Sequence, residues 1–186
     1  MDWKFSANAG FFGQRRDRFN EYQPARSLEE KFALIGQIEG IQGIELKYPV
    51  DFEDVSLVKN LLEKYGLALS AVNVDIKDAR YFRYGALSAR QPDSRQRGIS
   101  LLREGMDIAA EMGVYQVTTC PVMEAFDYPF QIDYLAAWEH LIESVREVVN
   151  HRKDVKLLLE YQPNEPHARA LLNNVGKVLY VITQVG

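Results

Sequence analysis

Cysteine is nearly absent: Cys120 is the single one among 186 residues. That excludes an internal disulfide and suits a reducing compartment. Basic charge is scarce as well. Lys and Arg number 22 against 26 Asp and Glu, for a net charge of -4 and a pI near 5.5. This balance argues against a protein that grips nucleic acid through a broad basic face. The short cluster Arg15, Arg16 and Arg18 is interrupted by Asp17 and reads as solvated surface or as an anion-contacting loop. No window approaches the roughly 18 consecutive apolar residues of a membrane span. The opening MDWKFSANAG has no basic stretch leading into an apolar one and no cleavage site. The expectation is a cytoplasmic protein with no nucleic-acid and no membrane partner.

Glycine-rich phosphate motifs are missing too. No G-x-G-x-x-G follows the first strand-like segment, and no P-loop pattern occurs. A dinucleotide-binding sheet is therefore disfavoured.

What the chain does have is alternation. KFSANAGFF (4–12) reads as a strand running into a loop. SLEEKFALIGQIEG (27–40) opens with the capping box Ser27/Glu30 and closes on Gly40. GIELKYP (43–49) is strand-like, and DVSLVKNLLEKYG (54–66) is a helix with Asp54 as N-cap and Gly66 as terminator. ALSAVNVDI (68–76) is a third strand, a long helical stretch covers 88–113, and YQVTTCP (115–121) is a fourth strand. A helix capped by Asp133 follows (133–152), then the strand VKLLLEYQP (155–163) and a last helix (168–186). Five strand-then-helix units in succession predict an α/β fold with five parallel strands joined by right-handed crossovers.

Polar residues collect at the C-terminal ends of these strands: Asn8, Glu45 and Lys47, Asn73 and Asp75, Thr118 and Thr119, Glu160 and Gln162. Barrel enzymes build their sites at that rim, although strand ends are also polar simply because they approach solvent. Asn73 and Asp75, two residues apart on one strand face, either line a pocket or make a polar strand end. A complete barrel needs about 250 residues. At this length the chain is either a partial barrel or an open five-stranded sheet, and the expectation is a single domain over 1–186, a partial (β/α)8 barrel truncated before strand six. Its first and fifth strands would be unpaired edges that invite another copy, giving a homo-oligomer.

LLLEYQPNEP (157–166) carries the clearest chemical signal. Val155 to Leu159 reads as a strand buried on both faces, and Glu160 closes it. A carboxylate there needs a cation, a set of donors or a metal ion. The loop KDARYFRYG (77–85) either closes over a ligand with its aromatics or packs. Cys120 beside Pro121 reads as a small buried residue. His140 and His151 sit on the solvated side of the fourth helix, and His167 lies nearer the rim.

The run Glu160 to Pro166, with GIELKYP, GLALSAVNVD and GISLLREGMDIAAEMGVYQVTTCP before it, resembles the xylose isomerase-like superfamily of sugar isomerases and epimerases over nearly the whole chain. The resemblance implies a TIM barrel and a divalent-metal-dependent isomerase or epimerase acting on a sugar or sugar phosphate. In that group a divalent ion (Mn, Mg, Co or Zn) polarises the substrate oxygens. It implies Glu160 as catalytic residue and metal ligand, Glu165 as a second ligand, and Gln162, Asn164, Asn73 and Asp75 around the substrate. It also makes Glu165-Pro166 a candidate cis peptide. Gln162 stands where the family commonly has a lysine, and His167 where an arginine is frequent. The family's remaining metal ligands come from strands six to eight, so this chain alone is not expected to hold the ion stably. The rival expectation is a non-catalytic fragment or assembly module of the same fold. The superfamily's phosphodiester-cleaving and inositol-ketone-dehydrating branches are a third option, and the acidic composition weighs against the first of these.

Overall fold

The computed structural model describes residues 3–16, 20–128, 130–163 and 169–186. Five strands form one parallel sheet in chain order: β1 (Phe5–Asn8), β2 (Ile41–Tyr48), β3 (Ala68–Val74), β4 (Gln116–Thr119) and β5 (Lys156–Leu159). Helices α1 (Leu28–Ile35), α2 (Val55–Tyr65), α3 (Pro92–Glu111), α4 (Tyr134–Val149) and α5 (Val175–Val185) follow one strand each. This is the sequential βα order expected of a partial barrel.

Local chemistry sets most boundaries. Ser27 and Glu30 form the reciprocal capping box at the start of α1. The helix stops at Gly36, short of Gly40, which instead turns the chain at φ +85°. Asp54 caps Leu57 N, and Gly66 ends α2 in the left-handed conformation. Pro92 opens α3, where its missing N–H costs nothing. Asp133 caps α4 by accepting from Ala136 N. The last helix begins at Val175 rather than at 168. Arg169–Ala170 is drawn into a short antiparallel pair with Ala125–Phe126, and Asn174 then caps the helix.

The alternation of strand side chains divides the sheet into two unlike faces. Ile44, Leu46, Val72, Val74 and Val117 are fully buried under the helices. The approach on that face is close: a Cβ on Gly105 of α3 would overlap Val74 Cγ2. The alternate residues Glu45, Lys47, Asn73 and Thr118 lie on the opposite face, with Asn8 opposite Glu45, Lys47 opposite Asn73 and Asn73 opposite Thr118 in register.

One sequence reading changes here. The strand carrying Leu157 to Leu159 is not buried on both faces. Among the described residues it is an edge strand paired only with β4, and its Leu158 is 40% exposed while Leu157 and Leu159 are half-buried. Helices cover one side of it, so an apolar run longer than the covered face needs remains partly in solvent. Within KDARYFRYG, Phe82 is buried while Tyr81 and Tyr84 stand exposed, and Arg97 stacks 3.6 Å from the Tyr81 ring centre.

Candidate functional site

The polar face gathers its charge at the C-terminal ends of β1 to β5. Glu45 is at the centre. Asn8 Nδ2 donates to its Oε1 at 2.5 Å, and the polar Thr118 and Asn73 side chains favour its charged form. Asn73 Nδ2 donates in turn to Thr118 Oγ1 at 2.7 Å. Burial pushes the Glu45 pKa up, and the negative charge of Glu160 adds to the rise; the two hydrogen-bond donors and Lys77 oppose it. Two carboxylates thus share one patch, one half-buried on β2 and one at the end of β5.

Glu160 itself is exposed. Its N–H bonds Thr119 O at 2.9 Å, which extends the β4–β5 pairing by one step and aims the side chain from the strand tip. The desolvation cost expected of a carboxylate closing a buried strand does not arise, because water reaches the group. Glu160 nonetheless acts on its neighbours: its charge also bears on Cys120, whose thiol is pushed up by burial first, then by Glu160, against the pull of Lys77.

The remaining expected site residues fall as follows. Asn73 joins Glu45 and Glu160. Asp75 turns to Lys47, with Nζ to Oδ2 at 3.2 Å, and accepts Lys77 N at 2.9 Å. Gln162 faces the buried Cys120, its Oε1 at 3.8 Å from Sγ, while its N–H bonds Leu172 O. Asn164, Glu165, the Glu165-Pro166 bond and His167 lie outside the described residues. The cis peptide bond that is described joins Tyr48 and Pro49. Of the other histidines, His151 pairs with Asp107 at 3.0 Å, and His140 lines a cavity apart from this patch.

Two functional-looking groups escaped the sequence reading. Lys77 supplies the cation facing Glu45 and Cys120; it was legible only as one charge in a mixed loop. Glu124 is wholly buried and accepts from Ala86 N, Leu87 N, Ser88 N and Ser88 Oγ. Its signal was an acid inside the apolar stretch VMEAF.

The patch offers carboxylate and amide oxygens, the hard donors that Mg²⁺ and Mn²⁺ take. Among the described residues, however, no three His, Cys, Asp or Glu side chains cluster as a metal would need. The described residues by themselves therefore do not fit a complete metal site.

A parallel α/β sheet with helices on one face, and an acid-bearing polar rim at its strand ends, is the architecture of a barrel-type site. The chain belongs to the xylose isomerase-like TIM barrel family, whose model matches residues 32–186. Among solved structures it is similar to D-allulose 3-epimerase from Methylomonas sp. in complex with D-allulose, at 15% identity and a TM-score of 0.70, covering 98% of this chain and 58% of that one. It is similar to D-psicose 3-epimerase with D-tagatose from Clostridium cellulolyticum H10, at 19% identity and a TM-score of 0.66, covering 86% and 55%. It is also similar to an AP endonuclease, family 2, from Brucella melitensis, at 18% identity and a TM-score of 0.66, covering 96% and 64%. At these identities the likeness establishes the fold. The chain spans between half and two thirds of the length of each.

Proposed function

We propose that this chain carries the first five βα units of a sugar or sugar phosphate isomerase or epimerase site, with Glu160 as its principal acid. The observation that carries the reading is the convergence of Glu45, Glu160, Asn73 and Thr118 at the rim, on strands distant in sequence. Isomerisation and epimerisation move hydrogen at a carbon next to a carbonyl, which calls for a positioned carboxylate and for polar groups that fix the hydroxyls. Glu160 would take or return that proton. Asn73, Gln162 and Asn164 suit substrate hydroxyls, and Asp75 holds Lys47 at the edge of the same patch. Glu45, with its pKa raised, is a neighbour suited to hold a proton beside Glu160.

A divalent ion (Mn, Mg, Co or Zn), when bound, would polarise the carbonyl and hydroxyl oxygens. Glu160 and Glu165 are the residues of this chain that would contribute to holding it, with further ligands supplied from elsewhere. The same reading carries a cytoplasmic protein that assembles with other copies. Among the described residues no helix is long and apolar enough to cross a membrane.

The test is thermal melting with added Mn²⁺ or Co²⁺. An ion at about 100 times its Kd stabilises by about 2.7 kcal/mol, so if this chain holds the ion with ligands of its own, Tm should rise and Glu160→Gln should remove the rise. No rise with any divalent ion would leave the chain as a non-catalytic module of the same fold.

A further inference from the structure

A cavity of about 720 Å³ opens between the loop that precedes α3 and the start of α4. None of the rim residues lines it. Its size is that of a small-molecule site. Phe126 and Ala137, both buried, and the half-buried Ile132 give it an apolar floor, and Tyr84 stands exposed at the mouth. Arg90 and His140 complete the lining.

The lining holds one guanidinium, Arg90, and one carboxylate, Asp133, and the two are not paired with each other among the described residues. Arg103 and Arg152 pair with carboxylates, and Arg80 pairs with Asp78. The Arg90 guanidinium and the His140 ring have no partner of any kind among the described residues. The acid that shares the lining, Asp133, is committed to its own helix, accepting Ala136 N–H at 3.1 Å. The Arg90 guanidinium and the His140 ring therefore line a chamber of mixed polarity with hydrogen-bonding capacity to spare. A guanidinium presents a planar fork that matches a carboxylate or phosphate.

We propose that this cavity binds a small organic anion with a flat apolar body, its charged head on Arg90 and His140 and its body against Phe126 and Ile132. The frame of the cavity is rigid where it must be. The Glu124 carboxylate ties residues 86–88 to the segment that leads into Phe126, so the two walls are fixed relative to each other.

The probes are 3-phenylpropionate, phenyl phosphate, 3-phenylpropionamide and inorganic phosphate, titrated into the whole chain and followed by backbone amide shifts. One or both aromatic anions should saturate at millimolar concentration, with shifts confined to residues 84–91 and 126–140. The stronger of the two tells a carboxylate head from a phosphate head. A charge-assisted hydrogen bond is worth about tenfold or more in affinity. Arg90→Gln, at an exposed position, should weaken binding by that factor, and the neutral amide should lose as much with the unaltered protein. Equal binding of the amide, equal binding of inorganic phosphate, shifts elsewhere, or no saturation would each overturn the proposal. None of these results depends on a metal or on activity at the rim.

Discussion

Glu124 is a carboxylate buried without a cation, and three backbone N–H groups and a hydroxyl are what make that tolerable. Burial pushes its pKa up while those donors pull it down, and burial is the larger effect. Removing the side chain leaves three buried N–H groups without an acceptor, each costing about 1–3 kcal/mol. Glu124→Leu is therefore expected to lose at least about 3 kcal/mol of stability in urea unfolding, and Glu124→Gln, which keeps one acceptor oxygen, distinctly less. Gly85 beside it has φ +99°, and a Cβ there would press on Glu124 Oε2 at 2.7 Å, so that glycine is required twice over. At the surface, Glu30 works differently. The Ser27 backbone N–H, then the Ser27 hydroxyl, hold its pKa below the usual carboxylate value. The folded state then binds fewer protons than the unfolded one, so the contribution is complete above the ordinary glutamate range and fades as pH falls through the lowered value. The difference in Tm between the parent and Glu30→Gln should accordingly be present at pH 7 and shrink towards pH 3.

Helix α3 illustrates how an element can break its own propensity for the sake of packing. Glycine inside a helix costs about 1 kcal/mol relative to alanine, yet Gly98 and Gly105 both lie buried in α3. Gly105→Ala gains that propensity and forces a methyl into Val74, an overpacking that costs about 1–3 kcal/mol. The net expectation is a lower denaturation midpoint, whereas the same change at the start of α5, Gly176→Ala, meets only Asn174 Oδ1 at 3.3 Å and should be nearly neutral. The elements differ in how far the sequence announced them. Capping signals at Ser27, Asp54 and Asp133 located three helix starts because a cap is a local bond between neighbours. The start of α5 was illegible because ARALL satisfies helical patterning, and only the pairing of Arg169–Ala170 with a strand more than 40 residues earlier overrides it. The leucines of β5 misled for a related reason. Hydropathy reports how apolar a strand is, not whether a second layer covers it.

Across the whole molecule, the apolar surface is unevenly shared out. Trp3 and Phe5 stand exposed at the β1 edge, and Leu158 at the β5 edge. Val175, Leu179 and Ile182, at helical spacing on α5, are each more than half exposed. Unpaired strand edges next to exposed apolar stripes favour association. The 186-residue chain is expected to form concentration-dependent oligomers in sedimentation, and Leu179→Glu with Ile182→Lys should shift it towards monomer; a parent chain that stays monomeric at high concentration would contradict this. The site was legible at the same coarse grain as the fold. Polar strand ends at Glu45, Asn73, Thr118 and Glu160 could be picked out because strand order follows chain order. The Glu124 brace and the Arg90–His140 cavity could not, since both require two loops some 36 to 50 residues apart to meet. The two-faced sheet has a consequence for how such a protein can change. Adhesion to the helices and the polar rim are written on alternate letters of the same strands, so a rim side chain can be exchanged while the hydrocarbon beneath it stays in place. Single substitutions at the rim are thus reachable with folding largely untouched.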